Sequence, residues 1–258
     1  MVSYVVVCSV ALLASGLTFF SGFGLGTLLL PAFALFFAVE QAIALTAIVH
    51  FLNGVFKLVL VWRHVDRAVL LRFGGPAILG ALAGAWALTL LSGVQPLLSY
   101  TLWGRAAQVT PAKLCIGVLL LLFACAELSS RFQRVSFDAR FQPLGGVLSG
   151  FFGGLAGMQG ALRAAFLIRA GLSKEAFVAT GAAVAFLIDV SRLGVYSGMV
   201  AQQGSAIDYR LVAAAVLAAF LGSILGNRYL PKVTMKQVRA LVAMLLFLVA
   251  LGLVSGLL

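Results

Sequence analysis

The sequence predicts an all-α polytopic membrane protein of two inverted-topology repeats, with broken or re-entrant helices at glycine-rich motifs. Three observations predict it. Of the 258 residues, 63% are hydrophobic and 10% charged, whereas soluble domains run at about 45–50% and about 25%. Water cannot accept that much apolar surface, and lipid can. Several apolar stretches reach the about 20 residues that cross a hydrocarbon core at 1.5 Å per residue. Glycine also punctuates the chain at two corresponding places, roughly 130 residues apart, the weak internal symmetry of a duplicated transport fold.

The elements follow in order. The segment Met1–Leu17 has the apolarity of a signal peptide but no basic n-region, since the first Lys or Arg is Lys57; it reads as a retained membrane segment. The pieces 4–20 and 22–38 are either half-helices or tilted spans. They flank the break Ser21-Gly22-Phe23-Gly24-Leu25-Gly26-Thr27. Spans at 40–62, 73–91 and 112–128 complete the first half. After a linker, the pieces 144–156 and 158–170 flank the second break, from Ser149 to Gly160. Each would be about 20 Å of helix, short of a core about 30 Å thick, so they read as half-helices meeting near mid-membrane. Spans at 174–199, 209–227 and 237–257 close the chain. The whole, 1–258, is one transmembrane domain: repeat one at 1–129, a cytoplasmic linker at 130–142 and repeat two at 143–258.

The net charge of +11 would suggest nucleic acid in a soluble protein. Here the basic residues cluster between apolar segments. One set of connections holds Arg63, Arg67, Arg72, Arg131, Arg134, Arg140, Arg169, Lys174, Arg228, Lys232, Lys236 and Arg239; the opposite set holds Arg105, Lys113 and Arg210. The richer set belongs in the cytoplasm. That leaves both termini outside, makes the two repeats inverted, and excludes nucleic acid as a partner. Cys8, Cys115 and Cys125 lie in apolar segments without a CxxC pair and read as small buried hydrophobes. His50 and His64 have no metal-site context. No metal and no cofactor is expected. The expected partners are the lipid bilayer and a small anion; the sequence leaves the oligomeric state open.

Mid-membrane chemistry follows from what an anion needs there. The N-terminus of a broken helix offers free N–H groups and a favourable dipole. This nominates Gly24, Gly26 and Thr27 in the first break, and Gly157, Gln159 and Gly160 in the second. The glycines equally suit close helix packing. Ionisable residues inside a membrane are functional by default. On helix 40–62, Thr46, His50, Asn53 and Lys57 fall on one face by helical spacing. Lys57 serves the anion or snorkels to the interface, and His50 carries a proton or packs. On helix 174–199, Asp189, Arg192 and Tyr196 share a face, where Asp189 and Arg192 act on the substrate or neutralise each other. Arg163 sits in the second half-helix with no acidic neighbour in sequence and is nominated for the anion. Lys57 falls on the cytoplasmic side of centre and Arg192 on the outer side, too far apart to clamp one small anion.

The runs Gly24-Leu25-Gly26-Thr27-Leu28-Leu29-Leu30-Pro31, Gly153-Gly154-Leu155-Ala156-Gly157-Met158-Gln159-Gly160 and Leu172-Ser173-Lys174-Glu175-Ala176-Phe177-Val178-Ala179-Thr180 resemble the sulfite exporter TauE/SafE family of bacterial membrane proteins. The likeness extends over nearly the whole chain. It implies movement of sulfite, sulfoacetate or a related organosulfonate across the bacterial plasma membrane by a secondary transporter working through alternating access. The chain departs from the family pattern at Leu25 and Gln159, where the family's glycine run is denser, and at Ala161, where proline is common. The competing functions are a membrane-embedded enzyme, which would need a nucleophile–base set or metal ligands at depth, and an anion channel. No catalytic residue is expected.

Overall fold

The computed structural model describes residues 1–17, 25–102, 104–129, 131–203, 208–229 and 235–258. The first glycine break from Ser21 to Gly24, and with it the candidate Gly24, lies outside these residues.

The chain is helical almost throughout. α1 (Val2–Leu17) and α2 (Leu25–Ala34) are followed by α3 (Val39–Val61), which a 3₁₀ turn at Trp62–His64 extends. Asp66 then caps α4 (Arg67–Val69), its carboxylate accepting the Val69 N–H at 2.9 Å. A π turn at Leu70–Gly74 joins α4 to α5 (Gly75–Leu91), so the span expected at 73–91 begins six residues earlier, at Arg67. Arg67 and Arg72 therefore stand on helix rather than in a connecting loop. After α5 come strands β1 (Leu98–Leu102) and β2 (Arg105–Val109), then α6 (Pro111–Leu128), α7 (Gln142–Ala156), α8 (Gly160–Leu167), α9 (Lys174–Gln203), α10 (Tyr209–Tyr229) and α11 (Met235–Val254). α6 starts where Thr110 accepts the Lys113 N–H at 3.2 Å and Pro111 takes the first helical position, both standard helix-start chemistry.

Five helices among the described residues are long and apolar enough to cross a membrane: α3 with its 3₁₀ turn, α4–α5, α6, α9 and α10. The sixth expected span, 237–257, corresponds to α11, whose apolar stretch among the described residues is Val242–Val254. α2, with 10 residues, and α8, with 8, would measure about 15 Å and about 12 Å and cannot cross a core of about 30 Å. The 16-residue α1 and 15-residue α7 also fall short of a perpendicular span. Large apolar side chains such as Leu79, Trp86, Leu122, Leu217 and Leu221 point outward, which is favourable only against lipid.

Helix packing relies on small residues. In lipid there is no hydrophobic gain from pairing apolar helices, so close backbone approach supplies the van der Waals contact instead. Gly146, Gly150 and Gly154 of α7 press on the carbonyls of Phe73, Ala77 and Ala81, and a Cβ at any of the three would overlap them. Gly80 and Gly84 of α5 answer beneath Val147 and Phe151. The same device joins α10 to α1, where Gly222 and Gly226 meet the carbonyls of Leu12 and Gly16. α6 packs on α11, and α3 packs on α9 at the centre.

Two expectations change. The 98–109 segment forms an antiparallel hairpin rather than a plain loop, with Leu98 opposite Val109 and Leu102 opposite Arg105. It straps the end of α11: Gln108 N–H donates to the Gly256 carbonyl at 3.0 Å, and the Tyr100 hydroxyl donates to the Ser255 carbonyl. The cysteines are not buried. Cys8 and Cys115 are half-buried and Cys125 is exposed, because a lipid-facing position is as apolar as an interior one.

Candidate functional site

The site grows from the second glycine break. α7 ends at Gly157, whose φ of +75° lies in the left-handed region. The Gly157 N–H bonds the Gly153 carbonyl at 2.9 Å, and the Met158 N–H bonds the Phe152 carbonyl at 3.2 Å. This is a glycine C-cap closure that reverses the chain at little steric cost. α8 opens three residues later at Gly160. The Ser149 hydroxyl donates to the Gln159 carbonyl at 3.0 Å, tying the returning half-helix to the entering one.

The first break touches the second here. Gly26, one residue into α2, packs on the turn: a Cβ there would lie 3.0 Å from the Gly157 carbonyl oxygen and 3.6 Å from His50 Cδ2. The two glycine motifs, far apart in sequence, thus meet in the interior beside α3. Thr27 follows half-buried on α2.

α9 brings charge to this junction. Asp189 and Arg192 are fully buried, one helical turn apart. Arg192 Nε donates to Asp189 Oδ1 at 2.9 Å, and Nη2 lies 2.8 Å from the same oxygen. Arg192 Nη1 donates to the Gly153 carbonyl at 3.3 Å, and the Tyr196 hydroxyl donates to the Gly154 carbonyl. These two side chains cover the negative end of the α7 dipole, where a cation is stabilising. The other carboxylate oxygen of Asp189, Oδ2, lies 2.6 Å from His50 Nδ1. Gln159 Nε2 donates to Asp189 Oδ1 at 3.5 Å, and Gln159 Oε1 accepts from Arg163 Nη1 at 3.3 Å. Arg163 is 5% exposed and is attracted electrostatically by Asp189. Lys57, two turns along α3 from His50, is near enough to Arg163 for the two charges to repel.

One network therefore joins His50, Lys57, Gln159, Arg163, Asp189 and Arg192, with Gly26, Gly157 and Gly160 shaping its walls. It gathers three basic side chains, Lys57, Arg163 and Arg192, about the carboxylate of Asp189. Gly160, Arg163, Phe177 and Gly181 also line a cavity of about 10 Å³, room for about one water. The expected separation of Lys57 from Arg192 is bridged by Arg163, which interacts with both ends of the network. Arg192 is engaged by Asp189 and by the end of α7.

Asn53 goes elsewhere. Its side-chain oxygen accepts from Ser223 at 2.9 Å and from Ser15 at 3.3 Å, and the two hydroxyls lie 2.6 Å apart. All three residues are buried and knot α1, α3 and α10 together. The stripe Thr46–His50–Asn53–Lys57 is split because it spans enough of the helix circumference to reach two neighbours. Two polar groups went unweighed in sequence. Ser15 and Ser149 stand at equal distances before Gly26 and Gly160, an offset shared by Thr46 and Thr180, and that repetition was the available signal. Thr46, one turn from His50, is 2% exposed, and its hydroxyl has no hydrogen-bond partner among the described residues.

Apolar helices around a buried, charged junction of two broken segments define a multi-pass membrane transport protein. The sulfite exporter TauE/SafE family model matches residues 7–253, and the chain belongs to that family. No curated protein and no solved structure matches it. Membership makes it a membrane transporter of the sulfite and sulfur-anion class.

Proposed function

We propose that the protein exports a small sulfur-containing anion, such as sulfite, sulfoacetate or a related organosulfonate, across the bacterial plasma membrane by alternating access around the junction of the two breaks. The observation that carries this reading is the charge of the junction. Three basic side chains, Lys57, Arg163 and Arg192, gather with Asp189 at the junction inside an apolar bundle, and charges placed at that depth are costly enough to be functional by default. Arg163 and Lys57 bind the anion, with Gln159, Thr27 and the backbone about Gly24, Gly26, Gly157 and Gly160 donating around it. Thr46 adds its hydroxyl, since an unsatisfied buried donor costs about 1–3 kcal/mol and an anion would satisfy it. Asp189 and Arg192 hold the junction together, and Asn53 supports the helices beside it.

Helix pairing supports a duplicated, inverted architecture with repeat boundaries at about 129 and 143. α1 packs on α10 as α7 packs on α5, while α3–α9 and α6–α11 each pair within themselves. This set is unchanged when the halves are exchanged. The uneven placement of Lys and Arg supports a cytoplasmic 130–142 linker and outside termini. Export is favoured by an inside-negative potential, worth about 2.3 kcal/mol per charge at 100 mV.

The test is a thermal-shift screen of the purified protein against sulfite, thiosulfate, sulfoacetate, taurine and carboxylate controls, followed by flux assays in liposomes. Stabilisation by the sulfur anions over acetate, with saturable flux, is expected. Flux that never saturates would favour a channel, and chemical conversion of the sulfonate would favour an enzyme. Orientation is checked in cells: an impermeant thiol reagent should label Gly93→Cys and not Ser136→Cys.

A further inference from the structure

We infer that His50 is a proton-binding site filled together with the anion, so that each anion bound at the junction takes up a proton on the imidazole. This deepens the transport reading above and rests on it.

The geometry gives the ring two opposed faces. Nδ1 is held 2.6 Å from Asp189 Oδ2, so in the neutral ring the single proton belongs on Nδ1, donated to the carboxylate. A second proton then has one place to go, Nε2. The Cδ2 atom next to Nε2 lies on the edge of the ring that meets Gly26, 3.6 Å from where a Cβ would stand. This is the α2 turn that the transport reading gives to the anion. A proton on Nε2 therefore adds an N–H donor and a positive charge where the anion binds, and an anion there favours that proton. Binding linkage is reciprocal: whatever the proton does for the anion, the anion does for the proton.

The ring meets Asp189 of α9 directly and Gly26 of α2 along its other edge; Asp189 in turn holds Arg192 and accepts from Gln159, whose side-chain oxygen accepts from Arg163 of α8, and Lys57 stands two turns along the ring's own helix. Asp189 is committed to Arg192 as well as to His50, so a doubly protonated ring keeps its carboxylate partner. The His50 side chain is 19% exposed while Asp189 is fully enclosed, so the imidazole is the accessible end of the network.

The experiment uses thiosulfate or sulfoacetate, which do not themselves titrate between pH 6 and 8, whereas sulfite does. Purified protein in weakly buffered solution with a pH-reporting dye should take up protons when the anion is added near pH 7, and none when chloride is added. Anion affinity should fall towards tenfold per pH unit where one proton is bound per anion. His50→Gln, which keeps a donor for Asp189, should bind the anion more weakly, most of all at the lower pH, and lose both the proton uptake and the pH dependence. A second readout does not depend on that variant folding. The chain has only two histidines, so His64→Gln with ¹⁵N-histidine labelling leaves His50 as the sole imidazole signal. Its protonated fraction at pH 7.5 should rise on adding thiosulfate. Anion binding in the wild type with no proton uptake and an unchanged imidazole signal would overturn the proton site and leave the transport reading standing. No binding of any sulfur anion would overturn both.

Discussion

Two polar clusters meet α3 about 60° apart around its axis and solve the same problem differently. On one side Ser15, Asn53 and Ser223 close on one another with neutral hydrogen bonds. On the other, His50, Asp189, Gln159, Arg163 and Arg192 assemble full charges. Both are buried where α3 crosses its neighbours, and both pin a short helix, α1 or α7, to a longer one. The neutral cluster is complete in itself, with each hydroxyl engaged. The charged cluster gathers several full charges and lies where the two glycine breaks touch. A closed, neutral set fits a fastening between helices; a set of full charges at that depth fits a place kept for a ligand. The comparison therefore separates polar residues that hold the bundle from polar residues that meet the cargo, although all of them look alike as polar interruptions of apolar helices.

The comparison is broken most severely through the packing that both clusters depend on. Gly150→Leu places a side chain into the Ala77 carbonyl on α5. Overpacking costs about 1–3 kcal/mol even in yielding cores, and backbone cannot yield as side chains do, so loss of monodisperse folded protein in size-exclusion chromatography is expected. Gly54→Ala and Gly194→Ala meet open space and should fold normally.

Next in size is Asp189→Asn. It leaves Arg192 buried against a neutral amide, and breaking a buried pair in this way costs about 3–5 kcal/mol. A large fall in thermal midpoint is expected, and a bound sulfur anion should restore part of it by supplying the missing negative charge. A fall that the anion does not reduce would move Asp189 and Arg192 away from the ligand and into the fastening class.

The two clusters part most clearly in a pair of milder changes. Arg163→Gln should weaken anion binding by about 1–3 kcal/mol, the range for a charge-assisted hydrogen bond, with little loss of stability because a costly buried charge is removed. Asn53→Ala should do the reverse. It takes the shared acceptor from the Ser15–Ser223 pair and lowers stability by about 1–2 kcal/mol, while affinity measured by isothermal titration stays within about twofold. Equal effects of both variants on affinity would mean that the neutral cluster also meets the substrate. The smallest expected effect is that of Thr46→Val: a modest gain in stability of the empty protein from removing an unpaired hydroxyl, with anion affinity reduced about tenfold or less.

The sequence by itself determined the class, the broken segments and most of the charged residues at the junction. Length and apolarity mark spans, since only helices about 20 residues long satisfy their backbone in lipid. Glycine and the shortness of 144–156 and 158–170 mark the break, and charges inside apolar helices are too costly to be incidental. It did not reveal the hairpin at 98–109, because a short edge of Ser, Tyr and Thr between spans reads as a loop until α11 offers it carbonyls. Nor did it separate Asn53 from His50. Three helical residues differ by about 60° around the axis, which is enough to turn one toward α1 and α10 and the other toward α9, and only the neighbours decide which matters. Tertiary structure alone brought Gly26 against Gly157, Arg163 into range of Lys57, and His50 onto Asp189. Those contacts join positions far apart along the chain, and local periodicity carries no information about partners that distant. Which helix a polar face meets is set by how small residues such as Gly150 and Gly222 allow whole helices to approach.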